Sequence, residues 1–106
     1  MKRICFVLQV KQSRLDEYKQ RHRSVWPEMQ AALHKAGWTN YSLFLRSDGL
    51  LVGYLETDDF DRARGEMAKF DINSRWQNEM ADFFEQPDGK LPDRAIDPLE
   101  EVFHLS

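Results

Sequence analysis

The sequence predicts a single α+β domain, and three observations indicate this fold class. Segments with the apolar pattern of strands alternate with segments of helical spacing along the chain. No linker, repeat or low-complexity stretch divides residues 1–106, so the whole chain is expected to form one domain. The composition, with 42% hydrophobic and 31% charged residues, is typical of a folded protein rather than a disordered one.

The first part of the chain predicts a strand followed by a broken helix. The segment Arg3–Val10 is rich in β-forming residues and apolar on both alternating faces, which is typical of a strand covered on both sides. From Leu15 to Ala36 apolar residues recur at helical spacing, but Pro27 disfavours helix at the residue before it. We therefore expect a break near Trp26 and a second helix over Pro27–Lys35.

The rest of the chain predicts a hairpin, two further helices and a closing strand. The turn residues Ser47-Asp48-Gly49 join two strand-like segments, as in a hairpin. Three of the four prolines lie in Gln86–Pro98, which is expected to be a loop. The predicted elements are strands at Asn40–Arg46 and Leu50–Glu56, helices at about Phe60–Lys69 and about Asp71–Phe84, and a last strand at Leu99–Leu105.

This order, β-α-β-β-α-β, is that of a ferredoxin-like protomer. The helices of such a protomer cover only one face of its sheet. The third predicted strand is nevertheless apolar on both faces, with Leu51 and Leu55 on one side and Leu50 and Val52 on the other. A second copy of the sheet would cover the outer face, so we expect a homodimer.

Charge and cysteine content narrow the classes of partner and the compartment. The formal net charge of −3 argues against nucleic acid as a binding partner, because proteins that bind it usually carry a basic surface. A neutral small molecule is compatible with this net charge. The single cysteine, Cys5, cannot form an internal disulfide. No apolar run is long enough to span a membrane, and no signal cleavage site follows the first apolar stretch. A cytoplasmic protein without a membrane partner is expected.

One group of residues suggests chemistry. Tyr18, His22 and Trp26 are spaced i, i+4 and i+8, so they would share one side of a helix. Histidine titrates near physiological pH and can donate or accept a proton. A histidine on an apolar face is also typical of a structural residue, and aromatic neighbours are also typical of core. The spacing alone leaves both interpretations open.

Two aromatic residues elsewhere are candidates for a sugar-binding surface. The indole of Trp76 offers a flat apolar face and one N–H donor, which suits the C–H face of a sugar, although Trp76 is equally suited to the core. Tyr41, at the start of the second predicted strand, could present its hydroxyl to the same cavity. The three scattered histidines do not have metal-ligand spacing, and no nucleotide-binding motif occurs, so no metal or cofactor is expected.

Four segments together resemble a known family. Glu17–Glu28 resembles the EYxxRHxxxWPE signature of the L-rhamnose mutarotases, and Asn40–Leu45 resembles the NYSIxL strand of that family. Arg75-Trp76 matches part of the family's RWW element, and Leu99–Leu105 resembles its closing LxEVFxL segment. These matches extend over essentially the whole chain.

The resemblance implies a ferredoxin-like protomer that pairs into a dimeric α/β barrel and interconverts the α and β anomers of L-rhamnose without a metal or organic cofactor. It implies that His22 is the proton donor, that Tyr18 and Tyr41 contact the sugar, and that Trp76 forms part of the binding wall. Gln77 stands where the family usually has a second tryptophan. This difference makes Gln77 a candidate substrate-binding residue and leaves a related 6-deoxy sugar, such as L-fucose, open as the substrate.

The mechanism expected from these residues is general acid–base catalysis, which is typically worth roughly 10²–10⁴-fold in rate. In this hypothesis His22 protonates the ring oxygen, while the base is Tyr18, a water or a carboxylate. Two alternative functions share the same barrel architecture, a cofactor-free monooxygenase and a non-catalytic small-ligand or haem-binding protein. Whether the Gln86–Pro98 loop covers the pocket is a further open question.

Overall fold

The structure, a computed structural model, describes residues 1–85 and 96–106. Two short 3-10 helices, Gln12–Arg14 and Ala81–Phe83, accompany the main elements. No helix in the described part of the chain is long and apolar enough to cross a bilayer. The main elements in chain order are β1 (Lys2–Gln9), α1 (Leu15–His22), α2 (Pro27–Lys35), β2 (Thr39–Leu45), β3 (Leu50–Thr57), α3 (Phe60–Ala68) and α4 (Asp71–Met80).

The three strands form one antiparallel sheet in the order β1-β3-β2. The predicted hairpin between β2 and β3 is confirmed. In its turn Gly49 has a φ of +96°, a conformation that glycine adopts without strain. The carboxylate of Asp48 accepts hydrogen bonds from the Leu50 backbone N–H and the Arg46 guanidinium, which fixes the turn.

The helices cover one face of this sheet. Along β3 buried residues alternate with half-buried ones, and the buried set, which includes Leu51 and Leu55, faces the helices. The opposite face carries Val52, and beside it Phe44 of β2 is 62% exposed. The two-sided apolar character expected from the sequence is therefore present, and one of the two sides lacks cover within the described chain.

The break predicted before Pro27 is confirmed. Helix α1 ends at His22, Trp26 has extended backbone angles, and Pro27 takes the first position of α2, where its missing N–H costs no helical hydrogen bond. The i, i+8 relation expected between Tyr18 and Trp26 was wrong, because Trp26 lies outside α1. Only Tyr18 and His22 share that helix.

The predicted closing strand Leu99–Leu105 was also wrong, because residues 96–106 have no regular secondary structure. The backbone N–H of Leu99 donates to the carbonyl of Cys5 on β1, at 2.7 Å. Beyond it Val102 and Phe103 are 88% and 78% exposed, so these two side chains are not packed against the described part of the chain. Most of the predicted loop Gln86–Pro98 lies outside the described residues.

Replacement of Gly53 in β3 by alanine is expected to destabilise the fold. A methyl group on its Cα would lie 2.2 Å from the ring of Phe6, which is 1% exposed and cannot move aside freely. Gly53→Ala should lower the free energy of unfolding by about 1–3 kcal/mol, measured by urea denaturation.

The matched control for this change is Gly65→Ala in helix α3. Apart from the backbone of the helix itself and the two adjoining residues, no described atom lies within 4 Å of a methyl group added there, and alanine favours helix over glycine by roughly 1 kcal/mol. Gly65→Ala should therefore stabilise the protein. Equal effects of the two substitutions would contradict the close contact between Phe6 and Gly53.

Candidate functional site

A cavity of about 470 Å³ lies between the covered face of the sheet and the helices. Its volume falls in the range of small-molecule sites and is ample for a monosaccharide. Most of its lining is apolar, with Phe6, Leu43 and Leu51 contributed by the three strands. Five residues that the sequence singled out line this cavity together, whereas Trp26 does not: Tyr18, His22, Tyr41, Trp76 and Gln77.

His22 is held in the cavity wall by its own helix and by two aromatic rings. Its Nδ1 lies 3.0 Å from the carbonyl oxygen of Tyr18, one turn earlier in α1. The imidazole packs against the Tyr18 ring, with centroids 4.2 Å apart and planes 31° apart. The Trp76 indole meets it edge-on at 5.5 Å. These contacts fix the orientation of the imidazole.

The contact with the Tyr18 carbonyl also determines which nitrogen carries the proton. A carbonyl oxygen only accepts hydrogen bonds, so Nδ1 carries the hydrogen and donates it. Burial lowers the pKa of His22, and the hydrogen bond to Tyr18 opposes this only in part. The imidazole is therefore neutral at pH 7, and its unprotonated Nε2 is the nitrogen available to a bound molecule.

The two tyrosines at the cavity are suited to donate hydrogen bonds. Burial raises the pKa of the Tyr18 hydroxyl, and the neighbouring Tyr41 hydroxyl raises it further. Burial likewise raises the pKa of Tyr41, whose hydroxyl is enclosed although the residue as a whole is half-buried. Both phenols remain protonated at any physiological pH. Neither is suited to accept a proton as a base.

Trp76 forms one aromatic wall of the cavity and is itself supported from outside. It is 7% exposed, and Trp26 packs edge-on against it, with centroids 4.9 Å apart and planes 80° apart. Trp26 lines a separate hollow on the surface, together with Pro27 and Arg75. Trp26 therefore packs against Trp76 from outside the cavity instead of lining the cavity itself.

The sequence analysis missed Asn73, which is 3% exposed and lines the same cavity. The side-chain amide of Gln77 donates to the Asn73 side-chain oxygen at 3.2 Å. Asn73, Trp76, Gln77 and Met80 are spaced i, i+3, i+4 and i+7, so they share one face of α4. That spacing, applied outward from Trp76, was the signal that could have identified Asn73.

No metal-binding group is found in the part of the chain that the structure describes. No three His, Cys, Asp or Glu side chains in that part are grouped so that they could hold a metal ion. His34 and His104 are both exposed, and Cys5 is a half-buried free thiol. His22 is therefore the described histidine that lines the cavity.

Comparisons with known proteins agree over the full length of the chain. The family model for L-rhamnose mutarotase matches residues 3–105. An L-rhamnose mutarotase from Bacillus subtilis is 42% identical and one from Oceanobacillus iheyensis is 38% identical, with 99% of this chain and 99% of each relative covered. The crystal structure of an L-rhamnose mutarotase from Formosa agariphila superposes with a TM-score of 0.81 at 27% identity, covering 100% of both chains.

Proposed function

Since this chain belongs to the L-rhamnose mutarotase family and is an isomerase that interconverts the α and β anomers of L-rhamnose, we propose that His22 performs both proton transfers of that reaction. The observation that carries the proposal is the hydrogen bond from Nδ1 to the Tyr18 carbonyl. It leaves Nε2 as the unprotonated nitrogen of a side chain that lines the cavity, where the sugar would bind.

Ring opening begins at the hydroxyl on the anomeric carbon. Nε2 of His22 takes the proton from this hydroxyl while its oxygen forms a double bond to the anomeric carbon. The bond between that carbon and the ring oxygen breaks, and its electron pair remains on the ring oxygen. The imidazolium then gives the proton to the ring oxygen, so His22 is also the proton donor that the family resemblance implied.

One side chain can serve both positions because the two oxygens are bonded to the same carbon. After the open aldehyde turns about its bond to the second carbon, the same steps run in reverse. Nε2 takes the proton from the former ring oxygen, that oxygen attacks the other face of the aldehyde, and the new anomeric oxygen receives the proton. No covalent bond to the protein forms, and His22 ends neutral.

The other cavity residues bind the sugar and stabilise charge. The hydroxyls of Tyr18 and Tyr41 donate hydrogen bonds to sugar oxygens, including the ring oxygen as it gains negative charge. Trp76 packs against the apolar face of the sugar, and Gln77 binds a hydroxyl through its amide. The apolar lining keeps water from competing for these hydrogen bonds.

Exchange NMR on L-rhamnose tests the function directly. With the protein present, saturation of one anomer signal should transfer to the other faster than in the sugar solution alone, and D-glucose should exchange at its unassisted rate. Lack of acceleration for L-rhamnose would contradict the proposal. Oxygen uptake or a Soret band with added haem would instead favour the monooxygenase or haem-binding alternatives, which the family comparisons do not favour.

We further propose that two ferredoxin-like protomers pair through the outer faces of their sheets into a dimeric α/β barrel. Phe44 is 62% exposed and Val7 is 37% exposed, and both lie opposite Val52 in the strand register, so they form one apolar patch. Large exposed apolar patches mark interaction surfaces. The exposed residues Val102 and Phe103 offer further apolar surface that a second copy could cover.

The substitution Phe44→Asp tests this dimer. The wild type should elute with twice the 12.6 kDa chain mass. The variant should elute as a monomer, because the substitution places a charge in the centre of the apolar patch. Light scattering during gel filtration measures the mass. The control is Ser47→Asp, at an exposed turn position away from the patch, which should stay dimeric. A monomeric wild type would refute the proposed pairing.

The cytoplasm is the proposed location. Cys5 is a free thiol, and free thiols are common in proteins of reducing compartments. Fractionation of the producing cells, with the chain detected by antibody, tests this location. Recovery in an exported fraction would contradict it.

A further inference from the structure

His22 is the last residue of a short helix. Helix α1 has eight residues, and the chain then passes through residues 23–26 without helix or strand before α2 begins. Lys19 and Gln20, earlier in the last turn of α1, are exposed. Helices of this length are marginal by themselves, and terminal turns fray more readily than the middle of a helix. The orientation of the His22 imidazole therefore depends on what holds this last turn in place.

The first half of α1 is anchored in the core. Tyr18 is 4% exposed, and its ring packs edge-on against Phe83 and Phe84, with centroids 6.1 Å and 5.6 Å apart. The guanidinium of Arg14, just before the helix, lies 4.1 Å from the centroid of the Phe83 ring. These contacts hold the chain as far as Tyr18, one turn before His22.

Two contacts join the last turn of α1 to α4. In the cavity wall, the His22 imidazole meets the Trp76 indole edge-on, with centroids 5.5 Å apart. Beside this contact, the Arg21 guanidinium donates a hydrogen bond to the Glu79 carboxylate and forms an ion pair with it. Arg21 precedes His22 directly, and Glu79 follows Trp76 by three residues, so both contacts connect the same two helical turns.

The two contacts differ in what they fix. Packing between two rings is non-directional and lets the rings slide, whereas a charge-assisted hydrogen bond sets both a distance and a direction. The side chains of Arg21 and Glu79 are 50% and 34% exposed, so their ion pair contributes little to the stability of the whole fold. Its effect is local, because it sets the separation of the turns that carry His22 and Trp76.

We propose that Arg21 and Glu79 are positioning residues whose ion pair holds the last turn of α1 against α4 and keeps the His22 imidazole in the orientation that proton transfer needs. The inference rests on the proposed function, because it assumes that His22 transfers the protons. Rates of this kind of chemistry depend steeply on the placement of the reacting groups. A frayed last turn would leave the sugar bound beside a histidine that is out of place.

The first experiment measures kcat and KM for L-rhamnose exchange by NMR in the wild type, Arg21→Met, Glu79→Met and the double variant. Each single substitution should lower kcat by about three- to fivefold, because an ion pair shifts the population of the held geometry by no more than its own free energy. KM should change little, because sugar-binding residues on other elements, such as Tyr41 on β2, are untouched. The double variant should lose no more than the single ones.

Arg21→Lys keeps the positive charge and should retain most of the wild-type kcat. Lys69→Met is the matched control. Lys69 pairs with Glu66 at the end of α3, the two side chains are 73% and 43% exposed, and neither lines the cavity. Its replacement should leave kcat unchanged. Wild-type kcat in both Arg21→Met and Glu79→Met would overturn the inference, as would an equal loss in Lys69→Met.

Salt provides a test that needs no folded variant. Raising NaCl to about 1 M screens a half-exposed ion pair, so the kcat of the wild type should fall toward that of Arg21→Met, whose own kcat should stay level. L-Rhamnose is uncharged, so salt does not act on its encounter with the protein. A wild-type kcat that is independent of salt would overturn the inference.

Nitrogen NMR of the imidazole separates positioning from a general structural role. The wild type should show His22 with its hydrogen on Nδ1, where the Tyr18 carbonyl accepts it. In Arg21→Met a second tautomer should appear as the last turn frays and this bond is lost, with little change in the thermal midpoint. A lower midpoint with an unchanged tautomer would assign the pair a structural role and overturn the inference. A wild type that does not accelerate exchange would overturn the proposed function itself, so the two failures are distinguishable.

Discussion

Replacement of His22 by alanine is expected to lower the catalysed rate of L-rhamnose anomer exchange by roughly 10²–10⁴-fold. The reason is that both proton transfers pass through Nε2, and neither Tyr18 nor Tyr41 can replace it as a base, because burial raises the pKa of both hydroxyls. Exchange NMR at pH 7, with the rate of the sugar alone subtracted, measures the loss.

The matched control is His34→Ala, at an exposed position on α2, which should keep the wild-type rate. His22→Asn should be as impaired as His22→Ala, because an amide cannot take and return a proton. Free imidazole added to His22→Ala should restore part of the rate by occupying the vacated space. Wild-type activity in His22→Ala would remove His22 from the mechanism.

Replacement of Tyr41 by phenylalanine is expected to lower the catalysed rate by about 10–100-fold, the effect of leaving one buried sugar oxygen without its donor. The substitution removes only the hydroxyl. The ring contact with Trp38, at 5.1 Å between centroids, is retained, so the thermal midpoint should change little. Exchange NMR and thermal denaturation of the same sample separate a catalytic loss from a folding defect.

Tyr54→Phe is the control for this substitution. The Tyr54 hydroxyl donates to the Glu56 carboxylate at 2.7 Å on the outer face of the sheet, away from the cavity. Its removal should leave the exchange rate unchanged. Equal losses from Tyr41→Phe and Tyr54→Phe would show that the Tyr41 hydroxyl makes no special contact with the sugar.

Local patterns predicted the first 85 residues of the fold well because each rests on short-range physics. The break before Pro27 follows from the proline ring, and the start of α3 follows from Asp59, whose side chain accepts from the Arg62 backbone N–H at 3.1 Å. The closing strand Leu99–Leu105 failed for the opposite reason. Its alternating apolar residues are real, but a strand needs a neighbour to pair with, which local sequence does not specify.

The candidate site was likewise predictable only where local spacing determined it. The i, i+4 spacing of Tyr18 and His22 was enough to place both on one helix face, and the cavity brings Tyr41 and Trp76 to them. The role of Trp26 could not be predicted, because it depends on how the break turns the chain. Asn73 was missed because a lone asparagine in a helix is common, and its importance appears only from its bond to Gln77.

The pH profile of catalysed L-rhamnose exchange tests the central claim, that neutral His22 acts first as a base. Burial lowers the pKa of His22 below its ordinary value of about 6.5. Nε2 is therefore free above that pH, and the catalysed rate should be level from pH 8 to about 6.5 and fall only below it, as Nε2 becomes protonated. A catalysed rate that rises on acidification through this range would instead require the imidazolium as the starting form, and would contradict the account.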